Sequence, residues 1–463
     1  MIDFKNTEGI YFVGIGGIGM SALALYFRKG GFVIAGYDRS ESALSGSLEE
    51  AGCDISYTDD VTILPDLFRL AVNKEKVIVV YTPAIPEENK ILSHFRNNGY
   101  SLFKRSEILG EISEHTDALA VAGTHGKTTV STMLAHLLKQ SSVDCSAFLG
   151  GISKNYGSNL LLGEGRYTVM EADEFDRSFH RLNPFMAIVT ALDADHLDIY
   201  GDRATMVEAY NIFCGKIRSG GSLVVNSKVR DEIVPPDGVG VFTYGLNIDA
   251  DYCSYNIERH GDYYRFDIKT PDIVIRDLHF SFPGIINIEN FTAAIALATK
   301  CGVTEDEIRK GVMLFRGVRR RFDIRINMPG LAYIDDYAHH PDEIRACITS
   351  VREYFSGRHI TGIFQPHLFS RTADHAEGFA AILDELDEVI LLPIYPAREK
   401  PMPGVTSELI FNKMKSLNKR LLEKTDIPAR LDPGNIDVLL TIGAGDIDSL
   451  AGPIEEKLMK VRG

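Results

Sequence analysis

The stretch that most constrains the chain is Ala118–Thr129, Ala-Leu-Ala-Val-Ala-Gly-Thr-His-Gly-Lys-Thr-Thr. Ala118 to Ala122 are small or apolar and read as a short buried strand. Gly123, Thr124, His125 and Gly126 break that pattern, and from Lys127 onward apolar residues return at helical spacing. A strand, a glycine turn and a helix opening with Lys-Thr-Thr make a cradle for phosphate. Backbone N–H groups of residues 123–129 and the helix N-terminus face anionic oxygens, Lys127 can reach the β- and γ-phosphates of a nucleotide, and the Thr128 hydroxyl can hold Mg2+. Val121 stands where the full pattern has its first glycine, so an ordinary strand–turn–helix corner is the competing reading. The Gly126-Lys127-Thr128-Thr129 core at the end of an apolar strand favours a nucleotide.

A chain of 463 residues exceeds one hydrophobic core, and two to four domains are expected. Hydrophobic residues make up 45% and charged residues 24%, the balance of a soluble globular protein. No run of 18 apolar residues occurs, so no membrane span or membrane partner is expected. The start, Met-Ile-Asp-Phe-Lys-Asn, lacks a secretory pattern. The six cysteines lack metal-ligand spacing and read as reduced thiols of a cytoplasmic protein. A net charge of −15 argues against nucleic acid as a partner. Nothing in the pattern specifies an oligomeric state.

Near the N-terminus, Ile10–Gly19 reads Ile-Tyr-Phe-Val-Gly-Ile-Gly-Gly-Ile-Gly, followed by a helix over Met20–Lys29 and a strand over Phe32–Tyr37 that ends at Asp38. Gly14, Gly16 and Gly19, in Gly-x-Gly-x-x-Gly with Gly17 inside the turn and an acid about 20 residues on, form a dinucleotide-type fingerprint. An NAD-dependent oxidoreductase is one reading. The turn itself offers only a diphosphate site, whichever nucleotide carries the diphosphate. A strand over Lys76–Tyr81 ends in a loop containing Thr82 and Ala84, where open α/β sheets place ligand contacts. A boundary is expected near Lys104-Arg105-Ser106.

In the central third, Phe148–Gly151 and Asn155–Asn159 read as a polar, glycine-rich loop. A strand over Tyr167–Met170 runs into Glu171-Ala172-Asp173-Glu174-Phe175-Asp176, four carboxylates in six residues. Such runs are commonly solvated turns. Following a strand in a phosphate-binding domain, Glu171 is the candidate Mg2+ ligand. His196 stands one step past the next strand, Met186–Ala191, where it can converge on the same cation. Asn287 and Asn290 are three apart and share a helical face ahead of the helix Phe291–Lys300. Their amides suit a purine edge, and helix capping is an equal alternative.

Gly317–Asp323 holds the densest basic cluster, Arg319-Arg320-Arg321, either a surface patch or a phosphate clamp. Four apolar strands then end in polar loops: Leu331–Ile334 before Asp335 to Pro341, Ile360–Phe364 before Gln365 to Thr372, Glu388–Leu392 before Pro393 to Glu399, and Val438–Ile442 before Gly443 to Asp446. This pattern predicts a second open parallel sheet with a functional edge.

Together these stretches resemble the Mur ligase family, the ATP-dependent ligases that build the peptide of bacterial peptidoglycan. The resemblance runs through Phe12–Ser21, Ala122–Thr129, Glu171–Glu174, Ala194–Asp198, Arg320–Phe322, Asp335–Pro341, Phe364–His367 and Tyr395–Ala397, in family order over nearly the whole chain. It implies three α/β domains: a Rossmann-like UDP-sugar domain at 1–104, a central P-loop ATPase-type domain at 105–321, and a Rossmann-like C-terminal domain at 322–463. It implies an enzyme that joins L-alanine to the carboxylate of UDP-N-acetylmuramate, with ATP and Mg2+. A ligase attaching a whole tripeptide to the same sugar nucleotide shares nearly every motif. Residue by residue, the resemblance implies Lys127 and Thr128 on the phosphates, Thr128, Glu171 and His196 on metal, and Asn287 and Asn290 at the adenine side. It implies Arg321 and Asp336 on the nucleotide from across the domain junction, and His339 and Arg371 near the amino acid. The sugar nucleotide falls to the first glycine loop and its neighbours. Arginine is common in the family where Leu368 stands, and Ile286 replaces a frequent histidine.

Overall fold

The computed structural model describes residue 2 and residues 4–193, 200–397 and 399–460. The chain divides into two compact units, Met1–Ser281 with Ile286–Arg316, and Phe282–Ile285 with Gly317–Gly463. Among the described residues the strands form three sheets.

In the first unit, β1 (Gly9–Val13), β2 (Val33–Tyr37), β3 (Asp54–Ser56), β4 (Val77–Tyr81) and β5 (Ser101–Lys104) form a parallel sheet of order β3-β2-β1-β4-β5. β1 is buried along its whole length and has a crossover helix, α1 (Ile18–Lys29), between it and β2. A strand covered on both faces carries a continuous apolar run rather than alternation, as Ile10-Tyr11-Phe12-Val13 does.

The second sheet of this unit holds β6 (Asp117–Ala122), β7 (Cys145–Ser153), β8 (Ser158–Leu161), β9 (Tyr167–Glu171), β10 (Met186–Val189), β11 (Ser222–Asn226), β12 (Gly240–Leu246), β13 (Tyr252–His260), β14 (Tyr263–Lys269) and β15 (Val274–Phe280). Its order is β15-β14-β13-β12-β11-β10-β6-β9-β7-β8. β6 lies between β10 and β9, parallel to both, so three strand ends meet beside the phosphate loop. Ala118 to Ala122 are fully buried, which suits a strand in mid-sheet. One apolar cluster runs from Phe12 and Leu23 of the first sheet layer to Ala120, Met170 and Val189 of the second.

Two local expectations change. Of the segment expected as a glycine-rich loop, Phe148–Gly151 lies inside β7, residues 154–157 form the turn, and Ser158 and Asn159 open β8, which pairs antiparallel with β7. Gly150 does not mark a break: a Cβ there would lie 2.2 Å from Glu171 Oε2, so glycine is the residue the neighbouring carboxylate admits, whereas Gly157, at φ +65°, sits in the turn. The helix expected from Phe291 begins earlier, as α3 (Ile285–Lys300), directly after Pro283-Gly284. Asn287 and Asn290 therefore sit within it.

The second unit holds β16 (Asp323–Met328), β17 (Leu331–Asp336), β18 (Ile360–Phe364), β19 (Glu388–Leu391), β20 (Lys419–Leu421) and β21 (Val438–Ile442), in the order β16-β17-β21-β18-β19-β20. All neighbours are parallel except β16 with β17. The expected open, mostly parallel sheet is present. Helix α4 (Phe369–Leu383) follows the loop after β18. The six cysteines are free, and among the described residues no helix is long and apolar enough to cross a membrane.

Candidate active site

The phosphate loop is fixed by close backbone approach. Gly123 has φ +138°, and a Cβ there would lie 1.9 Å from the Thr190 hydroxyl at the end of β10. Thr124 N–H donates to Ala191 O at 3.0 Å, and Asp193 N–H donates to the Thr124 hydroxyl at 3.1 Å. Gly126, at φ +81°, is the N-cap of α2 (Lys127–Lys139), a left-handed position that glycine takes without steric cost. His125 Nε2 lies 3.8 Å from Asp193 Oδ2. Thr129 is buried on the inner side of α2. The first turn of α2 contains no acidic residue.

The next two residues each meet a carboxylate. Lys127 Nζ donates to Gly123 O at 2.7 Å, Thr124 O at 3.3 Å and Glu174 Oε1 at 2.8 Å. Thr128 Oγ1 donates to Glu171 Oε1 at 3.1 Å. Glu171 is the last residue of β9, paired in register with Val121 of β6, which brings it to the loop. Burial pushes the Glu174 carboxyl up, opposed by Lys127. For Lys127 burial alone favours the neutral amine, yet Glu174, Asp173 and Glu171 outweigh it and hold the ammonium above its ordinary value. The lysine is therefore charged at neutral pH. Glu174 lay in the acidic run, but nothing local distinguished it from its neighbours.

Asn290 comes to the same place, with Asn287 beside it on the helix. Asn290 Nδ2 donates to Asn287 Oδ1 at 3.2 Å, and a Cβ at Gly126 would lie 3.0 Å from Asn290 Oδ1. The helical face they share thus meets the phosphate loop. His196 lies outside the described residues.

The N-terminal glycine loop is built by its neighbours. Gly14 has φ +91° and donates its N–H to Tyr37 O at 2.7 Å; a Cβ there would lie 2.7 Å from Thr82 Cγ2. Asp38 Oδ2 accepts from Gly16 N–H at 2.7 Å. The acid at the end of β2 thus braces the loop in this structure. Gly17 is the N-cap of α1, and Ala84 N–H reaches the Thr82 hydroxyl at 3.5 Å. Gly19 admits an arginine: a Cβ there would lie 2.2 Å from Arg105 Nη1. Arg105 Nη2 in turn lies 3.5 Å from Asp173 Oδ2, beside Glu174. Asn159 of β8 donates to Ile18 O and to the Ser21 hydroxyl of α1. Arg105 and Asn159 thereby link this loop to the central sheet, pairings that no sequence pattern announces.

In the second unit, Asp336 Oδ2 accepts from Phe322 N–H at 2.6 Å and its Oδ1 from Ala338 N–H at 2.8 Å. Burial pushes its carboxyl up to about 6 despite these donors and Arg321. Asp336 here braces the backbone around Phe322, which has φ +45°. The Arg321 guanidinium stacks over Tyr337, 5.2 Å from the ring centre. His339 Nδ1 donates to Tyr337 O at 3.0 Å and lies 3.3 Å from Glu343 Oε2. Burial pushes His339 down, opposed by Glu343. Its ring centre is 5.9 Å from that of His367, which stacks at 5.9 Å on Tyr395. Arg371 Nη1 donates to His367 Nδ1 at 3.4 Å. The loops after β17, β18 and β19 thus bring His339, His367, Arg371 and Tyr395 together. His367 and Tyr395 stood in recognised stretches but were not singled out.

This architecture, a lysine-bearing phosphate loop amid parallel strand ends and a second glycine loop in the same unit, defines an α/β protein of the nucleotide-phosphate-binding class. Three family models match the chain in succession: "Mur ligase family, catalytic domain" over residues 9–116, "Mur ligase middle domain" over 121–298 and "Mur ligase, glutamate ligase domain" over 320–445. A UDP-N-acetylmuramate–L-alanine ligase of Parabacteroides distasonis is 47% identical over 460 residues, 99% of each chain. One of Porphyromonas gingivalis is 49% identical over 454 residues, 97% of this chain and 98% of the relative. The crystal structure of a UDP-N-acetylmuramate–alanine ligase of Thermotoga maritima superposes with a TM-score of 0.81 at 27% identity, covering 98% of this chain and 99% of that one. The chain belongs to the Mur ligase family. Membership sets aside the NAD-dependent reading of Gly14–Gly19.

Proposed function

We propose that the chain is an ATP-dependent ligase that joins L-alanine to the carboxylate of UDP-N-acetylmuramate, acting in the cytoplasm in peptidoglycan synthesis. The observation that carries the reading is the mostly buried Lys127 on a phosphate loop, bonded to Glu174 and next to the Thr128–Glu171 pair, in a chain 47% identical over its length to a ligase of that name. The modules taking part are 1–104 for the sugar nucleotide, 105–321 for ATP and 322–463 for the amino acid.

A carboxylate is a poor electrophile, so an amide bond requires its activation. Transfer of the γ-phosphoryl group to the carboxylate gives an acyl phosphate and ADP. The amine of L-alanine then attacks the carbonyl, and the tetrahedral intermediate collapses with release of phosphate. The first step brings two anions together, so positioning and positive charge matter more than a protein nucleophile. Lys127 supplies charge at the transferred group. The glycines 14, 16, 17 and 19, with Asp38, Thr82 and Ala84, hold the sugar nucleotide. Gly123 to Thr129 cradle the triphosphate, with Asn287 and Asn290 toward the base and Arg321 and Asp336 as further nucleotide contacts. Arg371 takes the carboxylate of L-alanine. His339 donates from Nδ1 to a carbonyl, so its neutral ring offers Nε2 as acceptor for an amine proton.

The Thr128 hydroxyl and Glu171 carboxylate, 3.1 Å apart, are hard oxygen donors of the type Mg2+ takes. Thr128, Glu171 and His196 would hold it. When bound, it would neutralise charge on the phosphoryl oxygens.

Borohydride tests the intermediate. Enzyme, ATP and UDP-N-acetylmuramate without L-alanine should yield the sugar nucleotide with its carboxylate reduced to an alcohol, detectable by mass. Active enzyme that gives none of this product would contradict the acyl phosphate.

A further inference from the structure

Lys127 has three N–H donors, and three acceptors surround it. Two, Gly123 O and Thr124 O, belong to the phosphate loop and move with the lysine's own backbone. The third is the Glu174 carboxylate, both of whose oxygens lie 2.8 Å from Nζ. It comes from the turn after β9, a separate segment. That turn is firmly set: Glu174 O accepts from Tyr200 Oη at 2.7 Å and from Arg177 N–H at 3.0 Å, Asp173 O accepts from Phe179 N–H at 2.9 Å, and Asp173 Oδ1 from Phe175 N–H at 3.0 Å. Glu174 is 1% exposed and the Lys127 side chain 14%. A charge buried to that degree persists only with a partner, and a four-carbon stem holds one direction only when its end is fixed. Three residues earlier, Glu171 faces Thr128. The end of β9 and the turn after it thus grip the first two residues of α2 separately.

We infer that Glu174 is the positioning residue of Lys127: its carboxylate anchors the ammonium from outside the phosphate loop and aims it at the γ-phosphoryl group. The inference rests on the ligase reading, but it assigns a carboxylate to the lysine rather than to metal. Glu171 and Glu174 then have different tasks, although they stand in one short run.

The test compares Glu174→Gln, which keeps volume and loses charge, with Glu174→Asp, which keeps charge on a shorter arm. Binding of UDP-N-acetylmuramate by calorimetry serves as the check on folding. With Glu174→Gln, kcat should fall about tenfold and ATP should bind about threefold more weakly, the scale of one charge-assisted contact. The KM for L-alanine should stay unchanged, and Glu174→Asp should restore part of kcat. Unchanged kcat and ATP affinity in Glu174→Gln would overturn the assignment. So would tighter ATP binding with unchanged kcat, since the carboxylate would then merely compete with phosphate. If the wild-type protein gives no alanine-dependent phosphate release, the ligase reading fails separately. Glu174 is then judged on ATP affinity alone, where unweakened binding in Glu174→Gln overturns the assignment.

Discussion

Replacing Lys127 with alanine should lower turnover by about a hundredfold or more while UDP-N-acetylmuramate binding persists, the scale of losing one preorganised electrostatic contact to the transition state. The ammonium is the cation the structure places on the phosphate loop, and its three contacts already orient it. As charge moves from the γ-phosphoryl toward the departing ADP, an oriented ammonium stabilises that charge without reorganisation. A water molecule in the same space would have to reorient. The loss should fall on kcat more than on the KM for L-alanine, because the amino acid does not touch this loop in the scheme. The variant should still fold: Gly123, Gly126 and the Thr124–Ala191 hydrogen bond shape the loop through backbone alone. Steady-state turnover and sugar-nucleotide calorimetry check both halves. Near-normal turnover in a folded variant would remove Lys127 from the chemistry.

Arg371→Lys should raise the KM for L-alanine about tenfold or more with the KM for ATP nearly unchanged. A guanidinium grips a carboxylate with two parallel N–H donors, and lysine keeps the charge but loses the fork. A charge-assisted hydrogen bond is worth about 1.5–3 kcal/mol, which sets the tenfold scale. Leu368 leaves Arg371 as the basic side chain of this turn. Leu368 takes φ +69° as the N-cap of α4, and its N–H donates to Tyr395 O at 3.0 Å. That contact ties the loop after β18 to the loop after β19 and holds the first turn of α4, where Arg371 stands. Arg371 in turn donates to His367, so the arginine is held before any amino acid arrives. Initial rates over a range of L-alanine concentrations give the KM directly. An unchanged KM would place the carboxylate elsewhere.

What could be read from the sequence was local. The βα unit over residues 117–139 was legible because an apolar strand, two glycines and a helix with apolar residues at helical spacing follow one another without interruption. Glu171 was legible because it stands where the strand period ends, and His339 and Arg371 because strand ends of a parallel sheet share an edge. β7 and β8 were hidden by glycines that read as breaks, since the Glu171 carboxylate that requires Gly150 is distant in sequence. The bond between Glu174 and Lys127 joins residues 47 apart, and Arg105 meets Gly19 across a still longer separation. Such pairs depend on which strands become neighbours, and β6 pairs with β9 rather than with the strand that follows it. Asn287 and Asn290 share a helical face by spacing and are hydrogen-bonded to each other, but the approach of Asn290 to Gly126 required the fold.

In the proposed reaction ATP is spent to activate the carboxylate of UDP-N-acetylmuramate for attack by L-alanine. Phosphate release measured with ATP, Mg2+ and UDP-N-acetylmuramate, with L-alanine or with the peptidoglycan tripeptide as acceptor, tests it most directly. Release should depend on L-alanine, match the amount of UDP-N-acetylmuramoyl-L-alanine formed, and leak only to glycine and serine, because one methyl or hydroxyl group discriminates weakly in a small pocket. Release driven by the tripeptide and not by L-alanine would contradict the account.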